Sequence, residues 1–226
     1  MQRTAVITGG TGGLGAAVTH AFLDAGWRVV VPYNAPRELE RVREHERLEL
    51  VEADLSDPAA VAAVIDTAGE SLRALVNLVG GFHAGGRIHE TPVETFEAQL
   101  TLNLRPTYLA CAAALPVMLE AGEGAIVCVS SRAALKPFPG AAGYATGKAG
   151  VLAFVDVLDA EYRADGIRAN AILPSVIDTP ANRRSMPDAD FDTWVRPEQI
   201  AAAIRHLASA EAAATSGAHV PVYGRA

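Results

Sequence analysis

The chain has 226 residues and a formal net charge of −7, with half of its residues hydrophobic and a fifth charged. This length suits one α/β domain with a sizeable core, so we expect a single domain over residues 1–226. The negative charge argues against nucleic acid as the main partner.

The hydropathy pattern is that of a soluble protein. The amino terminus runs directly into a strand and a glycine turn, which does not resemble a signal peptide. No apolar run reaches the roughly 18 residues that a membrane span needs. We therefore expect a cytoplasmic protein without a membrane partner.

Short β-branched runs alternate with longer alanine-rich helical patterns along the whole chain. The runs predict strands at 4–8, 28–33, 48–53, 74–79, 125–130, 168–173 and 219–223. The patterns between them predict helices at 14–25, 59–68, 104–121, 145–164 and 197–210. Continuous apolar strands joined by helices indicate a parallel sheet with helices on both faces, a Rossmann-like, doubly wound α/β fold. A ligand is then expected beyond the carboxyl ends of the strands.

The first predicted strand leads into a glycine-rich turn with the spacing GxxxGxG, formed by Gly9, Gly13 and Gly15. Glycine lets the backbone approach a ligand, and the free N–H groups of the following helix can hold a pyrophosphate. Because the turn lies between a first strand and a first helix, it predicts nucleotide binding. The candidate contacts in this segment are Gly9, Thr11, Gly12, Gly13, Leu14 and Gly15.

The second and third strands supply the candidate adenosine contacts. No acid ends the second strand to bind the ribose hydroxyls of NAD(H), whereas Asn34 and Arg37 could bind a 2′-phosphate. This slightly favours NADP(H) over NAD(H), although Arg37 could equally be a solvated residue at a helix start. Asp54, followed by Leu55, could accept a hydrogen bond from the adenine amino group or could simply cap the next turn.

Tyr144 and Lys148 lie four residues apart at the start of a predicted helix and therefore share one face. The neighbouring ammonium group, together with the positive nicotinamide of a bound cofactor, is expected to lower the tyrosine pKa by about three units, which needs roughly 4 kcal/mol. Ser131 ends the fifth predicted strand and could hold a substrate oxygen. Asn103 is a candidate for positioning a water near Lys148, or could be a residue of a helix kink.

Together these residues resemble the short-chain dehydrogenase/reductase family over essentially the whole chain. TGGTGGLG is similar to the family's TGxxxGxG turn, and Asn103, Ser131, Tyr144 and Lys148 match its Asn-Ser-Tyr-Lys tetrad. The resemblance implies the adenine contact for Asp54 and a strand-stabilising role next to the cofactor for Asn77 and Gly80. It further implies that the segment containing Pro174, Val176 and Thr179 packs along the nicotinamide.

A narrower resemblance, to quinonoid dihydropteridine reductases, covers the stretch from Leu173 to Phe191, then Trp194. It also covers the stretch from Pro139 to Tyr144 and the Gly80–Gly81–Phe82 turn. Those enzymes typically lack the catalytic serine, yet Ser131 is present here. They also typically carry an acid after the second strand, which this chain lacks. This resemblance therefore indicates ancestry more than substrate.

Three further features complete the sequence interpretation. Cys111 and Cys128 are expected to be buried free thiols, and the scattered histidines predict no metal site. Residues 179–196 predict a short substrate lid, on which Phe191 and Trp194 either pack or cover a flat ring. The family resemblance implies a homodimer or homotetramer, formed through the two long helices.

The leading hypothesis is hydride transfer between a nicotinamide cofactor and a small carbonyl, imine or alcohol, with Tyr144 as the acid–base. Ser131 would polarise the substrate oxygen, and Lys148 would hold the nicotinamide ribose. Two alternatives are a dihydropteridine-reductase-like enzyme and a non-catalytic NAD(P)-binding regulator. The regulator is disfavoured because the tyrosine and the lysine are both intact.

Overall fold

The computed structural model describes residues 2–225, apart from the side chain of Arg37. Seven strands form one sheet in the order β3-β2-β1-β4-β5-β6-β7, and every neighbouring pair is parallel. The strands are β1 (Thr4–Thr8), β2 (Arg28–Tyr33), β3 (Leu48–Glu52), β4 (Leu72–Asn77), β5 (Gly124–Val129), β6 (Ile167–Pro174) and β7 (His219–Val222). The predicted Rossmann-like sheet is confirmed.

Helices cover both faces of the sheet, as the apolar strands require. They are α1 (Gly15–Asp24), α2 (Pro58–Ala68), α3 (Val93–Ala121), α4 (Ala142–Tyr162), α5 (Pro180–Ser185) and α6 (Pro197–Ala208). One core lies under α2, α3 and α4, and a second core lies under α1 and α6. The chain reverses its winding direction between the neighbouring strands β1 and β4, which opens a crevice at their carboxyl ends.

The third helix is longer than the sequence pattern predicts. It begins at Val93, eleven residues before the predicted start, and continues through Pro106 and Pro116. The first turns carry polar residues without a clear apolar face, and each proline removes one backbone hydrogen bond. Local propensity therefore predicts a shorter helix than the one that forms. Packing against α4 and the sheet stabilises it instead.

Helix α3 is also the one described helix long and apolar enough to cross a membrane. Its most apolar 18-residue window has a mean hydropathy of 1.2, and 44% of that window is buried inside the protein. Core helices of soluble proteins share these properties, so this finding is weak support for a membrane span.

Candidate functional site

The glycine turn lies at the crevice between β1 and β4, where it joins β1 to α1. Gly9 has a φ of +69°, a conformation that side chains strongly disfavour. A side chain on Gly15 would collide with the carbonyl oxygen of Gly9, so the turn closes only with glycine there. These two positions explain why the sequence concentrates glycine in this segment.

A cavity of about 800 Å³ opens beside this turn, which is within the size range of cofactor and ligand pockets. We call it the cofactor cavity. Of the residues predicted to bind the cofactor, ten line it: Gly9, Thr11, Gly12, Gly13, Leu14, Gly15, Asn34, Asp54, Leu55 and Gly80. Gly12 and Gly13 bring bare backbone to its wall, which fits an elongated ligand with a pyrophosphate at the start of α1.

Asn77 does not line this cavity. Its side chain is buried, and its Nδ2 lies 3.4 Å from the Cys111 sulfur and 3.6 Å from the Cys128 sulfur. Its Oδ1 lies 3.5 Å from the Thr8 hydroxyl, which donates to it. Asn77 is the last residue of β4, and these contacts link it to β1, β5 and α3. Both cysteines are buried free thiols, as expected.

The segment after β6 lies against the glycine turn from the other side. A side-chain carbon on Gly13 would come within 3.1 Å of the Thr179 methyl group, so Thr179 closes over the turn. Pro174 ends β6, and the Val176 carbonyl accepts a hydrogen bond from the Val195 backbone at 3.0 Å. None of these three residues lines the cofactor cavity.

The sequence interpretation missed Glu38, which lines the cofactor cavity. Its carboxylate accepts a hydrogen bond from the Thr11 hydroxyl at 3.0 Å. An acid is therefore present near the end of β2, although it lies five residues further along, in a 3-10 helix at Pro36–Arg41. Arg37 belongs to the same turn, but its side chain lies outside the described part of the chain.

Asp54 has a turn role in addition to its place in the cavity wall. Its Oδ1 accepts a hydrogen bond from the Ser56 backbone at 2.9 Å, which lowers the pKa of the Asp54 carboxyl. Asp57 caps α2 through the Ala59 backbone. The second Asp54 oxygen leaves capacity for a ligand, so both readings of this residue remain compatible with its position.

Tyr144, Ser131 and Lys148 meet where β5 ends and α4 begins. Ser131 follows β5, and its oxygen accepts a hydrogen bond from the Ala133 backbone at 3.1 Å. The Ser131 hydroxyl adjoins the partly buried Tyr144 phenol. The neighbouring Ser130 donates to the Lys148 carbonyl at 2.7 Å and so anchors α4 to β5.

In the protein alone, burial is the main influence on the Tyr144 pKa. Burial raises the Tyr144 pKa, and the Ser131 hydroxyl offsets only part of that rise. The Lys148 ammonium group donates to the Val129 carbonyl at 3.0 Å, and burial lowers the Lys148 pKa to about 8. Burial in the protein alone therefore favours the protonated phenol of Tyr144.

Asn103 is fully buried and links α3 to the chain beyond β4. Its Nδ2 donates to the carbonyls of Gly81 and Gln99, each at 3.0 Å, and its Oδ1 accepts from the Gly81 backbone at 3.2 Å. A side-chain carbon on Gly80 would come within 2.7 Å of this Oδ1 and 2.9 Å of the Lys148 ammonium nitrogen. Gly80 thus lets Asn103 and Lys148 approach each other.

An exposed aromatic ring, Phe82, lies beside Tyr144, and a second, Phe138, lies beside Phe82. The Phe82 ring meets the Tyr144 ring edge-on with centroids 5.0 Å apart, and Phe138 lies 6.2 Å from Phe82. Phe82 is 63% exposed and Phe138 is 44% exposed. Because both rings are exposed and Phe82 contacts Tyr144, these rings are available for contact with a ligand.

The predicted lid is held at both ends. Ile177 forms a β-bridge with Val195, and the Asp178 backbone donates to the Val195 carbonyl at 2.8 Å. Trp194 is buried, and the Phe191 ring lies 4.8 Å from it. Trp194 thus packs the segment onto the body, which is one of the two roles that the sequence allowed for it.

Comparison with known proteins identifies similar chains over nearly the whole length. The sequence profile of a family described as short chain dehydrogenase matches residues 3–190. The 2-(R)-hydroxypropyl-CoM dehydrogenase of Xanthobacter autotrophicus is 35% identical over 99% of this chain and 98% of its own length. Glucose 1-dehydrogenase 2 of Bacillus subtilis is 30% identical over 98% of this chain and 93% of its own length. A solved oxidoreductase of Burkholderia thailandensis is 30% identical, has a TM-score of 0.89, and matches over 99% of this chain and 92% of that one.

Proposed function

The chain belongs to the short-chain dehydrogenase/reductase family and is an oxidoreductase, and we propose that it interconverts a small alcohol and its carbonyl with Tyr144 as the acid–base. The observation that carries this proposal is the meeting of Tyr144, Ser131 and Lys148 at the carboxyl edge of the sheet, next to the cofactor cavity. The relatives named above support an alcohol substrate, since their names specify a hydroxypropyl compound and glucose.

The proposed chemistry needs little from the protein beyond placement. The nicotinamide cofactor used by this family supplies or accepts the hydride when it is bound. In the reducing direction, Ser131 donates a hydrogen bond to the substrate oxygen and Tyr144 transfers its phenol proton to that oxygen. In the oxidising direction, Tyr144 must first lose this proton and then receive the proton of the alcohol.

The remaining predicted residues support these two. We propose that Lys148 holds the nicotinamide ribose. We also propose that Asn103, through its hydrogen bonds to Gly81, fixes the position of the chain next to Lys148. Thr179 and the segment from Pro174 to Val176 would flank the nicotinamide. Residues 179–196 would cover the substrate, and the single domain would comprise residues 1–226.

The first test is to titrate the protein separately with NADPH and NADH, following nicotinamide fluorescence. A panel of small carbonyls and a quinonoid dihydropterin would then be added to the protein loaded with the reduced cofactor, and a panel of alcohols would be tested with the oxidised cofactor. Oxidation of the reduced cofactor by a carbonyl, or reduction of the oxidised cofactor by an alcohol, supports the proposal. Turnover of the pterin alone supports the dihydropteridine-reductase-like alternative. Cofactor binding without any turnover would favour a regulator, and no cofactor binding would contradict the proposal.

The cofactor preference depends on opposing side chains at one end of the cavity. Asn34 supports the NADP(H) preference predicted from the sequence, while the Glu38 carboxylate would repel a 2′-phosphate. We therefore expect Glu38→Gln to improve the affinity for NADPH relative to NADH by about fivefold to tenfold, about 1 kcal/mol. Fluorescence titrations with both cofactors measure this ratio.

Glutamine keeps an oxygen that can accept the Thr11 hydrogen bond, so Glu38→Gln removes the charge with little change of shape. Glu40→Gln is the matched control, because Glu40 is exposed on the same 3-10 turn and does not line the cavity. An unchanged ratio in Glu38→Gln, or an equal change in Glu40→Gln, would show that Glu38 does not set the preference.

Phe82 and Phe138 support an apolar wall for the substrate beside Tyr144. We expect Phe82→Ala to reduce kcat/KM about tenfold for an aromatic or branched carbonyl, because one buried aromatic contact contributes about 1–2 kcal/mol. The same substitution should reduce kcat/KM less for a small aliphatic carbonyl. Ile88→Ala is the control, since Ile88 is exposed and apolar but makes none of these ring contacts. Equal losses for both substrates would contradict this role.

We also propose that the protein forms a homodimer or homotetramer in the cytoplasm. Exposed apolar side chains on the two long helices support this, with Tyr108 on α3 and Val157 on α4. Light scattering after gel filtration measures the mass, and a monomer would contradict the proposal.

A further inference from the structure

A second cavity, of about 500 Å³, lies at the amino-terminal edge of the sheet, opposite the cofactor cavity. Parallel strands place all their amino ends at one edge, so β4, β5 and β6 contribute residues to it, as does Arg3 just before β1. We call it the arginine cavity. Its wall is formed by Arg3, Trp27, Arg73, Glu123, Gly124, Ala125, Arg163, Gly166, Arg168, Ala208, Ser209, Ala210, Ala213, Ala214 and Ser216. It shares no residue with the cofactor cavity.

The charge of this cavity is opposite to that of the whole chain, which is −7. Four arginines line it, and Glu123 is its one acidic residue. Glu123 pairs with Arg73 at 2.6 Å, and Arg163 pairs with Asp159. Within residues 2–225, Arg3 and Arg168 have no carboxylate within ion-pair distance. The cavity therefore keeps positive charge that the protein does not neutralise.

Arg168 is held in place without being neutralised. Its guanidinium group donates to the carbonyls of Leu207 at 2.7 Å, Ser209 at 3.0 Å and Thr215 at 3.3 Å. Three carbonyls fix the planar group in one orientation, and a half-buried cation without a counter-ion is costly to keep. An anion in the cavity would compensate this cost.

Arg3 is oriented by an aromatic ring instead of by an acid. Its guanidinium carbon lies 4.6 Å from the centroid of the Trp27 ring. Stacking uses the face of the guanidinium group and leaves its N–H groups free at the rim. Arginine N–H groups in a planar fork match two oxygens of a phosphate group.

We propose that the arginine cavity binds the phosphate group of a small phosphorylated molecule. Arg3 and Arg168 contact the phosphate oxygens, and Arg73 and Arg163 surround them. Four of the five alanines in the wall, Ala208, Ala210, Ala213 and Ala214, contact the carbon part of the molecule. The volume accommodates a ligand of this size. This site is independent of the proposed dehydrogenase activity, since the two cavities lie at opposite edges of the sheet.

Isothermal titration calorimetry of the full chain tests the proposal, with phenyl phosphate and inorganic phosphate as probes. Sodium chloride keeps the ionic strength constant, because exposed charges otherwise attract any anion weakly. We expect one saturable site for phenyl phosphate. Tighter binding of phenyl phosphate than of inorganic phosphate supports an ester ligand, whereas equal affinity would overturn the ester and identify the free ion.

Two variants make the test specific to this cavity. Arg3→Gln should weaken phenyl phosphate about tenfold, since it removes one charged, two-pronged contact from an exposed position. Arg184→Gln is the matched control, because Arg184 is exposed on α5 beyond the opposite edge of the sheet. Absence of a saturable site, or equal weakening by both variants, would overturn the proposal. NADH fluorescence titration of Arg3→Gln should match that of the wild-type protein, which separates this site from the cofactor cavity.

Discussion

Tyr144→Phe is expected to lower kcat by about 10²–10⁴-fold while leaving the affinity for the nicotinamide cofactor within twofold of the wild-type value. The substitution removes only the hydroxyl group, so the ring keeps its edge-on contact with Phe82. The substrate oxygen then has no proton donor at the distance that the phenol provides. Ser131 can still hold this oxygen, which leaves a residual rate.

Two measurements on the same preparation separate chemistry from binding. Single-turnover kinetics follow the decay of nicotinamide absorbance, and fluorescence titration gives the cofactor affinity. Tyr162→Phe is the matched control, because Tyr162 ends the same helix far from the crevice and the chemical change is identical. A variant at position 144 that keeps full turnover would contradict the role of Tyr144. Equal loss of cofactor binding would mean that the substitution disturbs the site as a whole.

The strands and most helices could be predicted because local and overall preferences agree in them. Val29, Val30 and Val31, for example, are β-branched, consecutive and fully buried, so their hydropathy and their propensity both predict a central strand. The start of α3 could not be predicted in this way. Its first three turns lack a strong apolar face, and their helical state depends on packing against α4.

The residues of the candidate site also divide into those that the local sequence predicts and those whose place depends on the overall fold. The residues of the glycine turn line one cavity, since Gly9 and Gly15 are required by backbone geometry that is local in sequence. Glu38 was missed because its place in the cavity depends on how the 3-10 turn after β2 folds back towards Thr11. A search for an acid restricted to the strand end does not reach a residue five positions further along.

The charge state of Tyr144 shows a different limit. The spacing of Tyr144 and Lys148 predicts that they are neighbours, but the spacing contains no information about burial. In the folded chain both groups lose water, which raises the pKa of the phenol and lowers the pKa of the ammonium group. The sequence predicts that the phenol and the ammonium group are neighbours, and their burial in the fold determines the direction in which each pKa shifts.

Lys148→Met is expected to stabilise the protein and to inactivate it. Burial lowers the Lys148 pKa from 10.5 to about 8, so the folded state holds the charged form at a cost of about 3 kcal/mol. Methionine avoids this cost but loses the hydrogen bond to the Val129 carbonyl, about 1 kcal/mol. We expect a net gain of about 2 kcal/mol in the free energy of unfolding at pH 7, or about 4–8 °C in Tm.

The pH dependence of this gain identifies its cause. Below pH 8 the lysine is charged in both the folded and unfolded states, so the folded state bears the full cost of burial. Between pH 8 and 10.5 the folded state releases its proton first, and the wild-type protein gains stability relative to the variant. Urea unfolding of both proteins should therefore show a large difference at pH 7 and a much smaller one at pH 10.

Activity is expected to change in the opposite direction, by a loss of about 10²-fold or more in kcat/KM, because the proposed contact of Lys148 with the nicotinamide ribose is removed. Lys136→Met is the matched control. Lys136 is the one other lysine of the chain and is exposed, so its substitution should leave stability nearly unchanged at both pH values. A Lys148→Met variant that is destabilised equally at pH 7 and pH 10 would show that the lysine serves the fold. Higher stability at pH 7 together with lost turnover would show that the fold bears a buried charge for the sake of the site.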